Sequence, residues 1–260
     1  MTPEPSGRCL SRPKFFYGWA VAGAGFAVAF MALGTRLSFG VFFTSLELEF
    51  NLNRTMTSGI FSIYMMLCCA VSIGGGWVSD RWGPRAVTAL MGVFTAASLI
   101  LTAVAWRGWH LLFTYGLLLA LGTGAVFTVV NATASRWFVR KRGLAVGITS
   151  SGGGVGAIFI VPLSAMLISR FNWRISLWVL GIVAGLVMVS MALVLRSSPE
   201  AMGLRPDGDV DVPKENPGSR MAQSGEPQGM SPAEALRRKD FWLLFGNWLL
   251  LSFAVHLRKC

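Results

Sequence analysis

Six long apolar runs constrain the fold of this chain more than any other feature. A helix needs roughly 20 mostly apolar residues to cross the hydrocarbon of a bilayer, and runs of that length lie at about 17–44, 55–79, 86–106, 109–135, 144–168 and 175–195. Only 13% of the residues are charged, whereas an ordinary soluble domain has about 25%. The sequence therefore predicts an all-α membrane protein with a six-helix bundle over residues 1–196.

The rest of the chain has a different composition. Residues 197–239 are rich in Pro, Gly, Ser and charge, which predicts a flexible cytoplasmic linker that cannot bury a core. A further apolar run from about Phe241 to Leu257 is barely long enough to span, so we expect residues 240–260 to hold an incomplete seventh transmembrane helix. The N-terminal polar segment leads into a full-length span, and no signal peptide is expected.

Basic residues are sorted by loop along the chain, whose net charge is +11. The N-terminal tail, the loop at Asp80, the loop from Arg136 to Arg142 and the linker hold sixteen Lys and Arg, and the alternate loops hold four. This bias marks the cytoplasmic side, so we expect a multi-pass protein of the plasma membrane with a cytoplasmic N-terminus. Because no basic face of a soluble domain is evident, nucleic acid is not an expected partner.

The segment between the second and third runs reads Gly76-Trp-Val-Ser-Asp80-Arg81-Trp82-Gly83-Pro84-Arg85. This G-x-x-x-D-R-x-G-x-R pattern resembles the signature loop of the major facilitator superfamily of secondary transporters, although Pro84 stands where many members carry a second basic residue. The resemblance implies a conformational gating role, through a contact of Asp80 with the far half of the transporter, for Gly76, Asp80, Arg81, Gly83 and Arg85. Alternatively, Asp80 caps the third span, with Pro84 in the first turn of that helix.

Two further segments narrow the resemblance to one branch of the superfamily. Tyr17-Gly-Trp19, whose rings suit a headgroup interface, and the run from Trp137-Phe to Gly156 resemble the monocarboxylate transporter and oxalate/formate antiporter branch. In such folds two six-helix halves enclose a substrate site near the membrane midplane, and this chain resembles the N-terminal half. The resemblance implies alternating-access transport of small organic anions, monocarboxylates or dicarboxylates, by proton coupling or exchange. It also implies a second half-transporter, or a homodimer, as the partner.

Candidate substrate-binding residues are polar groups inside the apolar runs. Arg36 lies roughly 27 Å along the first helix from Gly18, and a charge within a span is a functional candidate because it is costly there. We expect it to attract the carboxylate, although an Arg at that depth can also snorkel to the outer headgroups. Thr128 and Asn131 belong to a polar stripe at helical spacing in the fourth run. They are expected to face the cavity and hydrogen-bond the substrate, or else to contact a neighbouring helix.

Glycines recur at four-residue spacing in the fifth run. Gly143 and Gly147 form one G-x-x-x-G pair and Gly152 and Gly156 form another, which predicts close packing on a neighbouring helix. The run lacks the Gly-Lys-Ser/Thr ending of a phosphate-binding loop.

No pattern of catalytic chemistry is present in the sequence. Paired acids, a nucleophile beside a base and metal ligands at useful spacing do not occur, so we expect no enzyme activity, no cofactor and no metal site. Two alternatives to organic-anion transport stay open. One is a truncated, non-transporting membrane fragment, and the other is a facilitator of another small solute such as a sugar or drug.

Overall fold

All regular elements in the described part of the chain are helices. The computed structural model describes residues 16–197, 199, 242–243 and 246–247. Among these described residues, six helices are long and apolar enough to cross a membrane: α1 (Tyr17–Phe50), α2 (Arg54–Trp82), α3 (Pro84–Ala103), α4 (Gly108–Trp137), α5 (Arg142–Arg170) and α6 (Trp173–Val194). The predicted all-α membrane fold is confirmed, while the linker at 197–239 and the seventh span at 240–260 lie almost wholly outside the described residues.

The first helix is longer than the apolar run that predicts it. It continues to Phe50 because the Leu-Glu repeat at its end consists of good helix formers. The charged Glu side chains are tolerated there, since this end of the helix lies outside the hydrocarbon. Asn51 then adopts left-handed backbone angles, φ 48° and ψ 42°, and donates its N–H to the carbonyl of Glu47, which ends the helix. With 34 residues, α1 measures about 51 Å and exceeds the ~30 Å hydrocarbon layer.

A single glycine separates α2 from α3. Gly83 has φ 83°, which favours glycine, and Pro84 follows as the first residue of α3, where its missing N–H costs no helical hydrogen bond. Asp80 lies inside the last turn of α2, and the residue that precedes α3 is Gly83, with no side-chain cap. The alternative prediction that Asp80 caps the third span is therefore wrong.

The fourth helix is irregular along its length. It contains a π-helical segment at Leu112–Leu118 and a turn at Gly124 and Ala125, between the α-helical pieces Leu119–Thr123 and Val126–Trp137. The hydroxyl of Ser98 on α3 donates to the carbonyl of Thr114 over 2.8 Å. This bond supports the π-helical segment from outside, where the regular helical bonding pattern is altered.

Helix α1 packs most extensively on α5, and α3 on α6. A Cβ added at Gly152 would overlap the carbonyl oxygen of Phe26, and one added at Gly156 would overlap that of Phe30. The backbones of α1 and α5 therefore touch at these two glycines. A Cβ at Gly143 or Gly147 would meet nothing within 4 Å, so the close packing expected of this first pair is not made within the described residues.

An aromatic cluster joins three helices at the end of the bundle where α1 begins, which we call the basic end. The ring centroids of Tyr17 and Trp137 lie 5.5 Å apart, and those of Trp19 and Phe138 lie 5.1 Å apart. The Tyr17 hydroxyl donates to the carbonyl of Val194 over 2.8 Å, and the Trp137 indole N–H donates to the carbonyl of Arg196 over 3.0 Å. Tyr17 and Trp19, expected at a headgroup interface, are thus half-buried in protein contacts.

Candidate functional site

Arg36 lies on α1, nineteen residues after Tyr17, or ~28 Å along the helix axis. Its Nη2 donates to the sulfur of Met65 over 2.7 Å, and its Cζ lies 5.8 Å from the centroid of the Tyr64 ring. Its Nε is buried and has no hydrogen-bond partner. A thioether is a weak acceptor and a ring face attracts a cation only modestly. Within the described ranges no acidic side chain pairs with Arg36, so its charge is not neutralised there.

The Tyr64 ring that contacts Arg36 belongs to a cluster of aromatic rings from α1, α2 and α4. Tyr64 is fully buried, and its hydroxyl lies 2.7 Å from the Thr123 hydroxyl, which itself donates to the carbonyl of Leu119. Tyr64 is therefore the donor in the tyrosine–threonine bond. The Tyr115 ring lies 6.0 Å from that of Tyr64 and 4.3 Å from that of Phe39. The Tyr115 side chain is buried and its hydroxyl has no hydrogen-bond partner.

Sequence reasoning missed both tyrosines of this site. The chain contains only three Tyr, and Tyr64 and Tyr115 lie within long apolar runs, where a hydroxyl needs a partner because lipid offers none. A rare tyrosine hydroxyl within an apolar run was therefore the feature of the sequence that could have indicated these two residues. It does not reveal that the two rings meet, because their approach depends on the π-helical segment that carries Tyr115.

Thr128 and Asn131 contact different residues from those that Arg36 contacts. The Thr128 hydroxyl lies 2.8 Å from that of Ser72 on α2, and the Asn131 Oδ1 accepts from the Thr149 hydroxyl on α5 over 2.9 Å. Ser72 is eight residues beyond Tyr64, so this polar region lies ~12 Å further along α2. Both side chains are half-buried and bonded to neighbouring helices, which was the alternative to a role in the cavity.

The signature loop makes its charged contact within this bundle. The Asp80 Oδ1 accepts from Arg136 Nη2 at the end of α4 over 2.5 Å. The Arg81 guanidinium lies 5.6 Å from the centroid of the Trp77 ring, and Arg85 is exposed. Arg136 was not among the predicted gating residues, although its position at the end of the fourth run placed it at the same end of the bundle as Asp80.

Glycines of the same loop lie close to neighbouring side chains. A Cβ added at Gly76 would lie 3.4 Å from the Thr128 methyl carbon, and one added at Gly83 would lie 3.3 Å from the Ser197 hydroxyl. The signature loop is therefore in contact with α4 and with the segment that follows α6.

Over the described residues, six membrane-length helices define a multi-pass helical membrane protein, and one of them carries a guanidinium whose Nε is buried without a partner. Residues 24–257 match the Major Facilitator Superfamily. The chain belongs to this superfamily of membrane transporters, as its signature loop indicated.

Several relatives of this chain carry the name Monocarboxylate transporter. Mouse (Mus musculus) Monocarboxylate transporter 11 is 33% identical over 220 residues, which cover 84% of this chain and 46% of that protein. Zebrafish (Danio rerio) Monocarboxylate transporter 12-B is 27% identical over 255 residues, which cover 92% of this chain and 53% of that protein. Human (Homo sapiens) Monocarboxylate transporter 11 is 32% identical over 220 residues, which cover 84% of this chain and 44% of that protein. The chain thus spans about half the length of these relatives, and the resemblance to this branch is confirmed.

Proposed function

We propose that the chain forms the N-terminal half of a secondary transporter of small organic anions, monocarboxylates or dicarboxylates. In this proposal transport proceeds by alternating access, through proton coupling or exchange. The observation that carries the proposal is Arg36, whose charge lies within a membrane span and has no acidic partner in the described part of the chain. A carboxylate would supply the missing negative charge and accept from the buried Nε. The printed names of the relatives favour the same class of substrate.

Thr128 and Asn131 are proposed to hydrogen-bond the anion at a later stage of its passage. They lie about 12 Å from the Arg36 contacts along the bundle, toward the basic end, so one small anion cannot touch all three side chains at once. The Thr128 hydroxyl and the Asn131 side-chain amide each retain hydrogen-bonding capacity beyond their present bonds. The arrangement suits an anion that is first attracted by Arg36 and then moves along α4.

The signature loop is proposed to bias the conformational cycle. The loop residues of this proposal are Gly76, Asp80, Arg81, Gly83 and Arg85. The pair of Asp80 and Arg136 is exposed at the basic end, where a second half could compete for either charge. Opening the pair would therefore cost little, as is suitable for a contact that must form and break in each cycle.

A second six-helix half, or a second copy of the chain, is the proposed partner. Helices α2 and α5 are the least buried of the six, and Gly143 and Gly147 lie on an open face of α5. Small residues permit close approach of another helix, so these two glycines are proposed to pack against the partner. The proposed location is the plasma membrane, with a cytoplasmic N-terminus.

The test is binding of radiolabelled pyruvate, lactate, formate and oxalate to the purified chain in lipid nanodiscs. We expect saturable binding of at least one anion, with loss of that binding in Arg36→Ala because the guanidinium supplies the attracting charge. Arg107→Ala is the matched control, since Arg107 is an exposed arginine in the turn before α4. Its binding should equal that of the unsubstituted chain.

Uptake into vesicles tests transport separately, with a second half of a relative present in the same membrane. Equal binding by Arg36→Ala and the unsubstituted chain would overturn the assigned role of Arg36. Saturable uptake of an uncharged sugar, with no binding of any carboxylate, would replace organic-anion transport by facilitated movement of another solute.

A further inference from the structure

Two residues that each hold a buried polar atom without a partner lie beside the same ring. Within the described residues, Tyr64 contacts Arg36 through its face and lies beside Tyr115. The Arg36 Nε and the Tyr115 hydroxyl are both buried and unpaired. Leaving a buried donor unpaired is costly, and buried polar groups normally have a partner. Two residues that each hold such a donor and that neighbour the same ring indicate an acceptor that is shared between them.

We propose that the Tyr115 hydroxyl is a substrate-positioning donor that binds the carboxylate together with Arg36. The inference rests on the proposed function and adds to it a residue that sequence patterns did not single out. Arg36 Nε would donate to one carboxylate oxygen and Tyr115 to the other. Donors with different directions fix the orientation of the carboxylate, whereas a single guanidinium mainly attracts it.

The local structure of α4 supports this role for Tyr115. The residue lies in the π-helical segment, and such segments are rare and frequently occur at functional sites. The Ser98 bond to the Thr114 carbonyl holds the adjoining residue. The tyrosine is therefore placed by a deformation of the helix that external hydrogen bonds maintain.

The neighbouring rings determine what can accompany the carboxylate. Phe39 and Phe61 stack with ring centroids 5.5 Å apart and an interplanar angle of 6°, and Phe61 lies 5.8 Å from Tyr64. These rings are apolar neighbours of Tyr64 and Tyr115. The site therefore suits a carboxylate joined to a short apolar group, because the group can contact rings while the carboxylate meets Arg36 and Tyr115.

Tyr115→Phe tests the inference, with Tyr17→Phe as the matched control. Each substitution removes one hydroxyl and keeps the ring, but the Tyr17 hydroxyl is paired with the Val194 carbonyl at the basic end. Pyruvate affinity is measured in nanodiscs by radioligand binding, together with the melting temperature of each variant. We expect Tyr115→Phe to weaken pyruvate binding about tenfold or more, since a hydrogen bond to a charged group is lost.

The melting temperatures separate a binding role from a structural one. Tyr115→Phe should melt at or above the temperature of the unsubstituted chain, because it removes an unpaired buried hydroxyl. Tyr17→Phe should melt lower and bind pyruvate normally. Unchanged pyruvate affinity in Tyr115→Phe, with binding abolished in Arg36→Ala, would overturn this inference alone. Unchanged affinity in Arg36→Ala, or no saturable carboxylate binding to the unsubstituted chain, would overturn the proposed function and this inference with it.

Discussion

At the scale of single residues, the ion pair of Asp80 and Arg136 suits its proposed gating role because it contributes little to stability. The two side chains are 66% and 41% exposed, and exposed ion pairs contribute at most about 1 kcal/mol to stability because solvent and salt screen them. A contact of this kind can respond to a partner without holding the bundle together.

We therefore expect Asp80→Asn to change the free energy of unfolding in detergent by less than about 1 kcal/mol. A double-mutant cycle with Arg136→Gln measures the coupling between the two charges, and raising the salt concentration should reduce that coupling. A loss of several kcal/mol in either single variant would show that the pair is part of the structural framework, and would contradict a role that requires it to open.

In contrast to the exposed ion pair, a single methyl group added at a closely packed glycine of α5 is expected to change the free energy of unfolding strongly. Gly156→Ala places a Cβ against the Phe30 carbonyl, and overpacking of this kind costs about 1–3 kcal/mol. Gly147→Ala is the matched control in the same helix, because its Cβ meets nothing within 4 Å and alanine is the better helix former. Chemical unfolding of both variants should show destabilisation at Gly156 only. Equal effects at the two positions would contradict the observed backbone contact.

The four-residue spacing of the α5 glycines predicted close packing on a neighbouring helix, but not which of the two pairs makes that contact. A G-x-x-x-G repeat marks a face on which a helix can be approached closely, and both pairs satisfy that pattern. The choice between them depends on where α1 crosses α5, which is a tertiary contact with no local signature. Tyr115 was not predicted as a site residue for a related reason. A polar face is recognised by the regular angular spacing of residues around an α-helix, and a π-helical segment alters that spacing.

At the scale of elements, Trp137 connects helices that are distant in the sequence. It is fully buried, packs on Tyr17 of α1 and donates to the carbonyl of Arg196 after α6. The neighbouring Arg136 contacts α2 through Asp80. The end of α4 is therefore a junction through which α1, α2 and α6 are held at the basic end.

Trp137→Ala is expected to lower the free energy of unfolding by about 3–5 kcal/mol, since it removes a fully buried aromatic side chain and leaves a cavity. Trp106→Ala provides the control, because Trp106 is 80% exposed and surface substitutions usually stay within about 0.5 kcal/mol. Denaturant unfolding in detergent, followed by circular dichroism, measures both changes. Similar values for the two variants would argue against the junction.

Element boundaries were predictable where hydrophobicity or backbone geometry decides them. The third run was predicted from about residue 86, and α3 begins two residues earlier at Pro84, since proline is suited to the first position of a helix. The end of α1 was predicted at residue 44 and lies at Phe50. Apolar patterning reports the depth of the hydrocarbon, whereas helix formation continues into water for as long as helix-forming residues follow.

At the scale of the whole molecule, an even number of membrane helices fixes the relation between the two termini of the bundle. With six crossings over the described residues, Tyr17 and Val194 lie at the same side of the membrane. From the distribution of Lys and Arg we propose that this side is the cytoplasm.

A reporter inserted after Arg196 should therefore be cytoplasmic. Green fluorescent protein at that position is expected to fluoresce, and alkaline phosphatase is expected to be inactive. The same pair of reporters inserted after Arg107, in the turn between α3 and α4, should give the reverse pattern. Active phosphatase after Arg196 would contradict the charge-based orientation, and identical results at both positions would contradict the number of crossings between them.

The backbone contact between α1 and α5 limits where motion within this bundle can occur. Side chains between two helices can change rotamer and absorb a shift, but at Gly152 and Gly156 no side chain separates the helices. Closer approach is blocked by the carbonyl groups of α1, and sliding would bring neighbouring bulky residues of α5 onto them. The two helices are therefore expected to move as one rigid unit, and any flexing within the bundle has to be taken up at its other helix interfaces.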